Sequence, residues 1–417
     1  MKIKLNAKFY FSIYFFTLLY FYHDVINTYF YWRYFAYLKE TIFDFSWLRF
    51  VVASVIFYIN LYFLFKKDKV KIIFSVLAIF FILVTIPSLI AFTSKNIYPI
   101  KLLIYHQVLF FSLYFFSSFK VSFDKFPGIK KNQALIVLFG ITTIGIIPYL
   151  LVYGPYINLN NLLLKDIYQT RAVMSGLSNP YFGYTYSLFT KIIIPLLIVF
   201  AIEQRKWHFV FIGIFYLILF YLFGAHKTVY IGLVVVLIFY KLSYLGLVRK
   251  IIKYSNLLLF ASIVLAFYGS DDLWILIFRR VHFLPTLLDL QYLDFFEGKP
   301  LYWSNSFLKG IIDYPYDLKH AKLIGDAYYD NKEMNANNGL ISDGYMNFGS
   351  LGVFINTLII SFYFMFLNSL NISSKYFGVF FLVVIAFISS SLFTVFLTHG
   401  AIALLLLSIF LLNEKEN

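Results

Sequence analysis

A run of basic residues near position 280 has the side chains best suited to phosphate or proton-transfer chemistry. Arg279, Arg280 and His282 stand close together in the run Phe278–Pro285. A guanidinium presents planar N–H donors that match a phosphate, and an imidazole takes or gives a proton near neutral pH. The alternative is that these cations only anchor the chain at a membrane surface. The run therefore predicts either a phosphate-binding, catalytic site or an interfacial anchor.

Further basic residues stand in two polar segments between apolar runs, the long segment 154–183 and the short turn 224–228. Arg171 precedes a turn that is rich in Gly, Pro and Tyr and ends at Gly183. His226 and Lys227 occupy the turn 224–228, which lacks the upstream glycines of a Walker phosphate-binding loop. Because this turn joins two apolar runs, any phosphate that it meets is expected to be a lipid headgroup. Anchoring at the interface is the alternative for these residues as well.

The segment 335–349, NANNGLISDGYMNFG, is rich in Asn and Gly and leads into another apolar run. Such residues are typical of structured turns. Asp343 and Tyr345 in this segment can contact a polar ligand such as a sugar hydroxyl, and the alternative is a loop that caps a helix. His106 and His399 lie in or beside apolar runs and are interpreted as structural.

Metal and thiol chemistry have no support in the sequence. The chain has no cysteine, which excludes a disulfide framework, a thiolate metal site and a thiol nucleophile. No His, Asp or Glu cluster has the spacing of a metal site. The sequence predicts no metal and no cofactor, and chemistry that depends on Arg, Lys and His.

The elements that must position these residues are membrane helices. Of the 417 residues, 61% are hydrophobic and 13% are charged, and apolar runs recur along the whole chain. Backbone groups inside a bilayer must pair within the chain, and continuous apolar runs exclude a barrel. The runs cover about 8–22, 47–65, 72–92, 102–119, 134–153, 184–202, 209–223, 228–242, 257–268 with an upstream extension, 351–367, 376–397 and 401–412. The sequence predicts an all-α, polytopic transmembrane helical bundle of about twelve helices, in a single membrane domain spanning 1–417.

The net charge of +15 is explained by where the basic residues lie, without a nucleic-acid partner. Basic segments occur between alternate apolar runs, at 66–71, 120–131, 205–206 and 249–253. The positive-inside rule then places both termini in the cytoplasm of a multi-pass inner-membrane protein. Two long segments, 154–183 and 269–350, fall on the outer face, so a site is expected there, with 269–350 as a large, partly helical extracytoplasmic loop.

The ordered set of these segments resembles the O-antigen and capsule repeat-unit polymerases (Wzy type). The resemblance is carried by residues 279–306, by Arg171 to Gly183, by Lys227, and by NGLISDGYMNFGSLG at 338–352. It covers nearly the whole chain in topology and about a quarter in local motifs. It implies a fold similar to the GT-C glycosyltransferases.

The resemblance implies a reaction on lipid-linked glycans. Repeat units carried on undecaprenyl pyrophosphate are joined at the outer face of the cytoplasmic membrane into O-antigen or capsular polysaccharide, without a nucleotide sugar. Partners are the lipid-linked oligosaccharides and the bilayer, together with a chain-length regulator and a flippase. The implied catalytic residues are His282 as base, Arg280, and Asp343 in reserve; the implied substrate-binding residues are Arg171, Arg279, Lys227 and Tyr345.

Other functions remain open at this stage. An O-antigen ligase has similar topology and differs in its acceptor, the core of lipopolysaccharide. A lipid-linked oligosaccharide flippase also has about twelve helices, but transporters of that kind place polar residues in the middle of the membrane and keep outer loops short. A non-catalytic scaffold of a polysaccharide export complex predicts that Arg279, Arg280 and His282 can be replaced without effect on polymer length.

Overall fold

The computed structural model describes residues 6–30, 44–95, 100–123, 125–177, 179–306, 308–337 and 339–413, with the side chains of 26–30 left out. Both termini, Met1 and Asn417, lie outside the described residues. The helices are α1 (Ala7–Tyr20), α2 (Trp47–Lys66), α3 (Ile72–Phe92), α4 (Ile100–Phe116), α5 (Lys131–Tyr153), α6 (Ile167–Leu177), α7 (Pro180–Glu203), α8 (Trp207–Gly224), α9 (Thr228–Phe239), α10 (Tyr244–Phe267), α11 (Leu284–Phe295), α12 (His320–Tyr329), α13 (Leu340–Ser369), α14 (Phe377–Ser389) and α15 (Ala401–Leu412).

The prediction of an all-α fold is confirmed. Within the described ranges the chain forms helices and no β-strand, and each of the predicted apolar spans overlaps a helix. Seven described helices, α2, α3, α5, α7, α8, α10 and α13, are long and apolar enough to cross a membrane. Helical structure follows from the apolar runs because a helix pairs its own backbone N–H and C=O groups.

The chain divides into two compact units. The first comprises Met1–Phe119, Tyr244–Met365 and Phe387–Leu392, and the second comprises Lys120–Ser243, Phe366–Ala386 and Phe393–Asn417. In the first unit, the helix α3 is buried along almost its whole length, as expected for a helix that is apolar on every side. Aromatic rings pack around it, with Phe57 stacked on Phe15 at 4.4 Å and on Phe81 at 5.5 Å.

The segment 269–350 of the first unit is partly helical, as the sequence predicts. A π-helical stretch, Trp274–Phe283, continues into α11, and α12 packs against α11 around the buried ring of Tyr292 and the side chain of Ile324. The helix α13 starts at Leu340, earlier than the apolar run that begins near 351, and breaks at Phe348 and Gly349. Gly349 has a φ of +59°, a conformation that glycine adopts without steric strain.

The second unit is held together by close approaches between helices. A Cβ added at Gly213 of α8 would lie 2.6 Å from Ile198 of α7, and one added at Gly378 of α14 would lie 2.6 Å from the backbone of Val236 in α9. Small residues at helix contacts are the usual means by which membrane helices gain packing area. Glycine is therefore required at both positions by the neighbouring helix.

One end of the second unit carries a charged cluster. The carboxylate of Glu203, at the end of α7, lies 2.7 Å from the ammonium of Lys131 and 3.3 Å from that of Lys375, and it accepts a hydrogen bond from Tyr376. Because α5, α7, α8 and α9 run up and down in turn, this cluster marks the end where α5 begins and α7 stops. The loop 154–166, α6 and the turn 225–227 lie at the other end.

Candidate functional site

A cavity of about 450 Å³ lies at the end of the second unit away from the Glu203 cluster, where α5 and α8 end. Side chains from α5, α6, α7 and the α8–α9 turn line it, among them Tyr149, Arg171, Tyr186, Ser187 and His226. Among the described residues no Asp or Glu lines this cavity, whereas a guanidinium and an imidazole do. The lining therefore suits an anionic or hydroxyl-bearing ligand.

Arg171 is held by the backbone at the end of α8. Its Nε and Nη2 atoms donate to the carbonyl oxygen of Ala225 at 3.3 and 2.9 Å. Ala225 stops the helix in a left-handed conformation, with φ of 48°, and the negative end of the helix dipole favours a cation there. Among the described residues no carboxylate pairs with Arg171. The guanidinium is thus positioned, with N–H donors left to bind a ligand.

His226 follows directly in the same turn and lines the cavity. Its ring centroid lies 5.4 Å from that of Tyr186. Desolvation lowers the pKa of His226 below its ordinary value, and the charges of Arg171 and Lys191 lower it further. The imidazole is therefore neutral near pH 7 and can accept a proton.

Tyr186 and Gly224 shape the wall beside His226. The Tyr186 hydroxyl donates to the carbonyl oxygen of Phe220 at 2.9 Å, which orients the ring across the end of α8. A Cβ added at Gly224 would lie only 2.5 Å from that hydroxyl oxygen. Glycine at 224 is therefore what permits the ring of Tyr186 to lie where it does.

The sequence selected Arg171 and Lys227 as ligand-binding residues, and both belong to this second unit. Arg171 lines the cavity; Lys227 is exposed at the start of α9, in the same turn as His226. His226 was considered together with Lys227 as a contact for a lipid phosphate or as an interfacial anchor, and it was not selected as a site residue. Its place beside Lys227 in a turn between two antiparallel helices was a usable signal. The other five selected residues, Arg279, Arg280, His282, Asp343 and Tyr345, belong to the first unit.

In the first unit, the structure separates Arg280 from His282. His282 is 3% exposed, and its Nε2 atom lies 2.5 Å from the hydroxyl of Tyr14. Desolvation lowers the pKa of His282 to about 3, and its Nδ1 atom has no hydrogen-bond partner in the described part of the chain. Arg280 is exposed and Arg279 is half-buried on the same π-helical stretch. The two arginines and the imidazole thus do not share one surface.

Asp343 lies in the interior at the start of α13. One carboxylate oxygen accepts from the backbone N–H of Leu392 at 3.0 Å and from the side-chain amide of Asn356 at 3.3 Å. The other accepts from the Asn347 amide at 3.4 Å. These donors tie three chain segments together, which accounts for a buried carboxylate by its structural contacts.

Tyr345 lies on the same short helical segment and pairs with a lysine. Its hydroxyl accepts from the ammonium of Lys101 at 2.8 Å, and the same ammonium lies 4.6 Å from the ring centroid. Lys101 is also 3.9 Å from Glu297. Tyr345 thus belongs to a polar cluster with a cation and an acid.

Sequence reasoning missed a buried polar network around Asp289. Its two oxygens contact the Nε2 atom of His106, at 3.2 Å, and the hydroxyl of Ser342. A cavity of about 20 Å³, large enough for about one water molecule, adjoins His106 and Asp289. No spacing in the sequence indicates this network, because residues 106, 289 and 342 meet only in the folded chain.

Comparison of the chain with protein-family models, with curated proteins and with solved structures finds no match. Functional inference therefore depends on the geometry of the two units. Across the residues that the structure describes, no three His, Cys, Asp or Glu side chains come together in a way that could hold a metal ion. The cavity around Arg171 and His226 is the site on which we base that inference.

Proposed function

We propose that the protein is a glycosyltransferase that polymerises undecaprenyl-pyrophosphate-linked oligosaccharide repeat units into O-antigen or capsular polysaccharide. The observation that supports this proposal most directly is the cavity in the second unit, where Arg171 is fixed beside a neutral His226 and the described lining includes no acidic side chain. A diphosphate leaving group needs cationic donors, and an acceptor hydroxyl needs a base.

The distribution of charge supports an extracytoplasmic site. The end of the second unit opposite the cavity carries Lys131, Arg205, Lys206 and Lys375. The positive-inside rule assigns such an end to the cytoplasm, so the cavity faces the outer side of the cytoplasmic membrane. Lipid-linked repeat units that have been flipped across the membrane would reach it there.

The proposed reaction forms one glycosidic bond and breaks one glycosyl–phosphate bond. The hydroxyl oxygen of the acceptor sugar attacks the anomeric carbon of the donor glycan, and the bond from that carbon to the pyrophosphate oxygen breaks. Arg171 stabilises the negative charge on the departing undecaprenyl pyrophosphate, and so does Lys227, which is exposed in the α8–α9 turn. His226 takes the proton from the acceptor hydroxyl, which its lowered pKa permits at neutral pH.

The resemblance also assigns roles to the first unit. These roles stay predictions: Arg279 and Arg280 as further pyrophosphate-binding cations, His282 as base with Asp343 in reserve, and Tyr345 as a substrate contact. Of these, Arg280 is the exposed side chain that can meet a ligand without rearrangement. His226 is the base that we prefer, because it lines a cavity beside a fixed cation while His282 is enclosed.

The proposed topology has twelve membrane helices in a GT-C-like arrangement. The seven long apolar helices account for part of it. The shorter apolar helices α4, α9, α14 and α15, together with α1, supply the remaining crossings. Helices shorter than about 17 residues cross a bilayer only where it is locally thin or where adjoining segments extend them, and helical turns adjoin α1 and α14.

The function is tested by a gel profile of surface polysaccharide from cells that lack this gene. The strain is complemented with wild type, Arg171→Met, His226→Gln or His282→Gln at matched membrane levels, and Lys206→Met serves as a charge-loss control at the opposite end. We expect the deletion strain to carry single repeat units, and wild type and Lys206→Met to restore a ladder. Arg171→Met and His226→Gln should fail to restore it.

Each alternative gives a different profile. A ligase predicts loss of all surface glycan together with accumulation of lipid-linked polymer in the deletion strain. A flippase predicts accumulation of single lipid-linked units on the cytoplasmic side. A full ladder from both cavity variants would overturn the assignment of this cavity as the polymerase site.

A further inference from the structure

A second cation lies behind the wall of the cavity. Lys191 is on α7, four residues after Ser187, so the two side chains project from the same face of the helix. Ser187 lines the cavity. Lys191 was not selected from the sequence, because it is a single cation within an apolar run.

The contacts of Lys191 are with neutral groups. Its ammonium lies 3.2 Å from the Nδ1 atom of His399, and that nitrogen lies 3.4 Å from the hydroxyl of Ser187. An ammonium is only a donor, so the Nδ1 atom must accept and His399 must carry its proton on Nε2. No Asp or Glu pairs with Lys191 among the residues that the structure describes. The chain Lys191–His399–Ser187 thus leads from a cation to the cavity.

The field of Lys191 reaches the cavity. Its charge and that of Arg171 both contribute, after desolvation, to the lowered pKa of His226, which lines the cavity. Desolvation, with a smaller contribution from the charge of Lys191, lowers the pKa of His399 to about 4. Two cations therefore act on one neutral imidazole without a carboxylate to offset them. Lys191 is half-buried within an apolar helix. A cation that lacks a counter-ion within a membrane segment is costly and typically marks an ion or substrate site. A dianionic ligand in the cavity would supply the missing charge.

We propose that Lys191 is a further cation of the anion site, in addition to Arg171 and the exposed Lys227, and that it makes the cavity select a diphosphate over a monophosphate. Arg171 binds one phosphoryl group at the mouth, and the other reaches the Ser187 hydroxyl and the ammonium behind it. The flexible four-carbon stem of lysine lets the ammonium turn from His399 to a phosphate oxygen. This inference depends on the proposed function, since it assigns the second half of the pyrophosphate to a named residue.

The selectivity follows from the reaction. The donor carries a diphosphate, whereas a carrier lipid that has lost its terminal phosphate is a monophosphate. A site without Lys191 would hold both ligands through one phosphoryl group, at Arg171 and Lys227. With Lys191 present, only the diphosphate gains the second contact, so spent monophosphate carrier competes poorly for the cavity.

The test is equilibrium binding of farnesyl diphosphate and farnesyl monophosphate to the full-length protein in nanodiscs of neutral lipid. We expect wild type to bind the diphosphate about tenfold more tightly than the monophosphate, a ratio typical of one added charge contact. Lys191→Met should lower diphosphate affinity about tenfold and leave monophosphate affinity within about twofold. Arg171→Met should weaken both ligands, and Lys206→Met, which removes a half-buried cation at the other end of the unit, should change neither.

Two further variants keep the test independent of folding. Lys191→Arg retains the charge and should keep the preference for diphosphate, and Ser187→Ala should reduce it by about threefold while leaving Lys191 in place. Equal weakening of both ligands by Lys191→Met, or no change in their ratio, would overturn the role of Lys191 while leaving the anion site intact. If neither ligand binds wild type, both this inference and the proposed pyrophosphate site fail. If Lys191 proves selective but Arg171→Met still restores a polysaccharide ladder, only the proposed function fails.

Discussion

Replacement of Gly224 by alanine is the most direct structural test of the cavity. The new Cβ would lie 2.5 Å from the hydroxyl oxygen of Tyr186 and 2.7 Å from the Cζ atom of the same ring. The ring must therefore move. It is packed among Phe220, Tyr149 and His226, so the movement breaks the hydrogen bond to the Phe220 carbonyl and shifts the wall of the cavity.

The expected destabilisation has three contributions. Overpacking costs about 1–3 kcal/mol. The lost hydrogen bond costs about 1 kcal/mol. Alanine is more stable than glycine in a helix by about 0.5–1 kcal/mol, which offsets part of this loss. Gly224→Ala should therefore lower the free energy of unfolding by about 1–3 kcal/mol, which corresponds to a fall of about 2–12 °C in the unfolding midpoint for a unit of this size.

Gly140→Ala is the matched control, because it makes the same change in helix α5 where no atom lies within 4 Å of the added Cβ. The assay is thermal unfolding of both purified variants in the same detergent, alongside the polysaccharide gel profile. Gly140→Ala should match wild type or unfold at a slightly higher temperature, and it should restore a full ladder. The reasoning is refuted if Gly224→Ala is as stable as Gly140→Ala and restores the same ladder.

Three other predictions concern His226, Tyr14 and Glu203. Binding of farnesyl diphosphate should strengthen as pH falls from about 7.5 to 5.5, because the free His226 has a lowered pKa and a bound anion raises it; His226→Gln should show a weaker pH dependence in the same titration. Tyr14→Phe should lower stability by about 1–3 kcal/mol by leaving the buried Nε2 atom of His282 without its partner, and should keep the polysaccharide ladder. Glu203→Gln should lower the free energy of unfolding by about 1 kcal/mol, and with it the unfolding midpoint. The loss is small because Lys131 and Lys375 are partly exposed and lose only a screened ion pair.

Opposite results would identify the faulty step. Equal pH dependence in wild type and His226→Gln would show that another group takes up the proton. A stable Tyr14→Phe protein that makes no polymer would favour His282 as a participant in the reaction. Loss of the ladder in a stable Glu203→Gln protein would place a functional requirement at the end of the second unit away from the cavity.

The sequence by itself determined that the described chain is helical and where the apolar helices lie. In a bilayer, a long apolar run can satisfy its backbone groups only within its own helix, so composition and run length suffice. The partly helical nature of 269–350 was also predicted, whereas the start of α13 at Leu340, inside the segment interpreted as turn-rich, was not. The positions of the apolar helices depend on local composition, which can be read directly from the sequence.

The tertiary structure alone decided which polar residues share a site. Arg280 and His282 are neighbours in sequence, but the turn of the π-helical stretch leaves one exposed and buries the other against Tyr14. Lys191 and His399 are 208 positions apart and yet in contact. Such meetings depend on the rotation of each helix about its axis and on which helices pack together. Both are set by the sum of many apolar contacts, and no motif in the sequence records that sum.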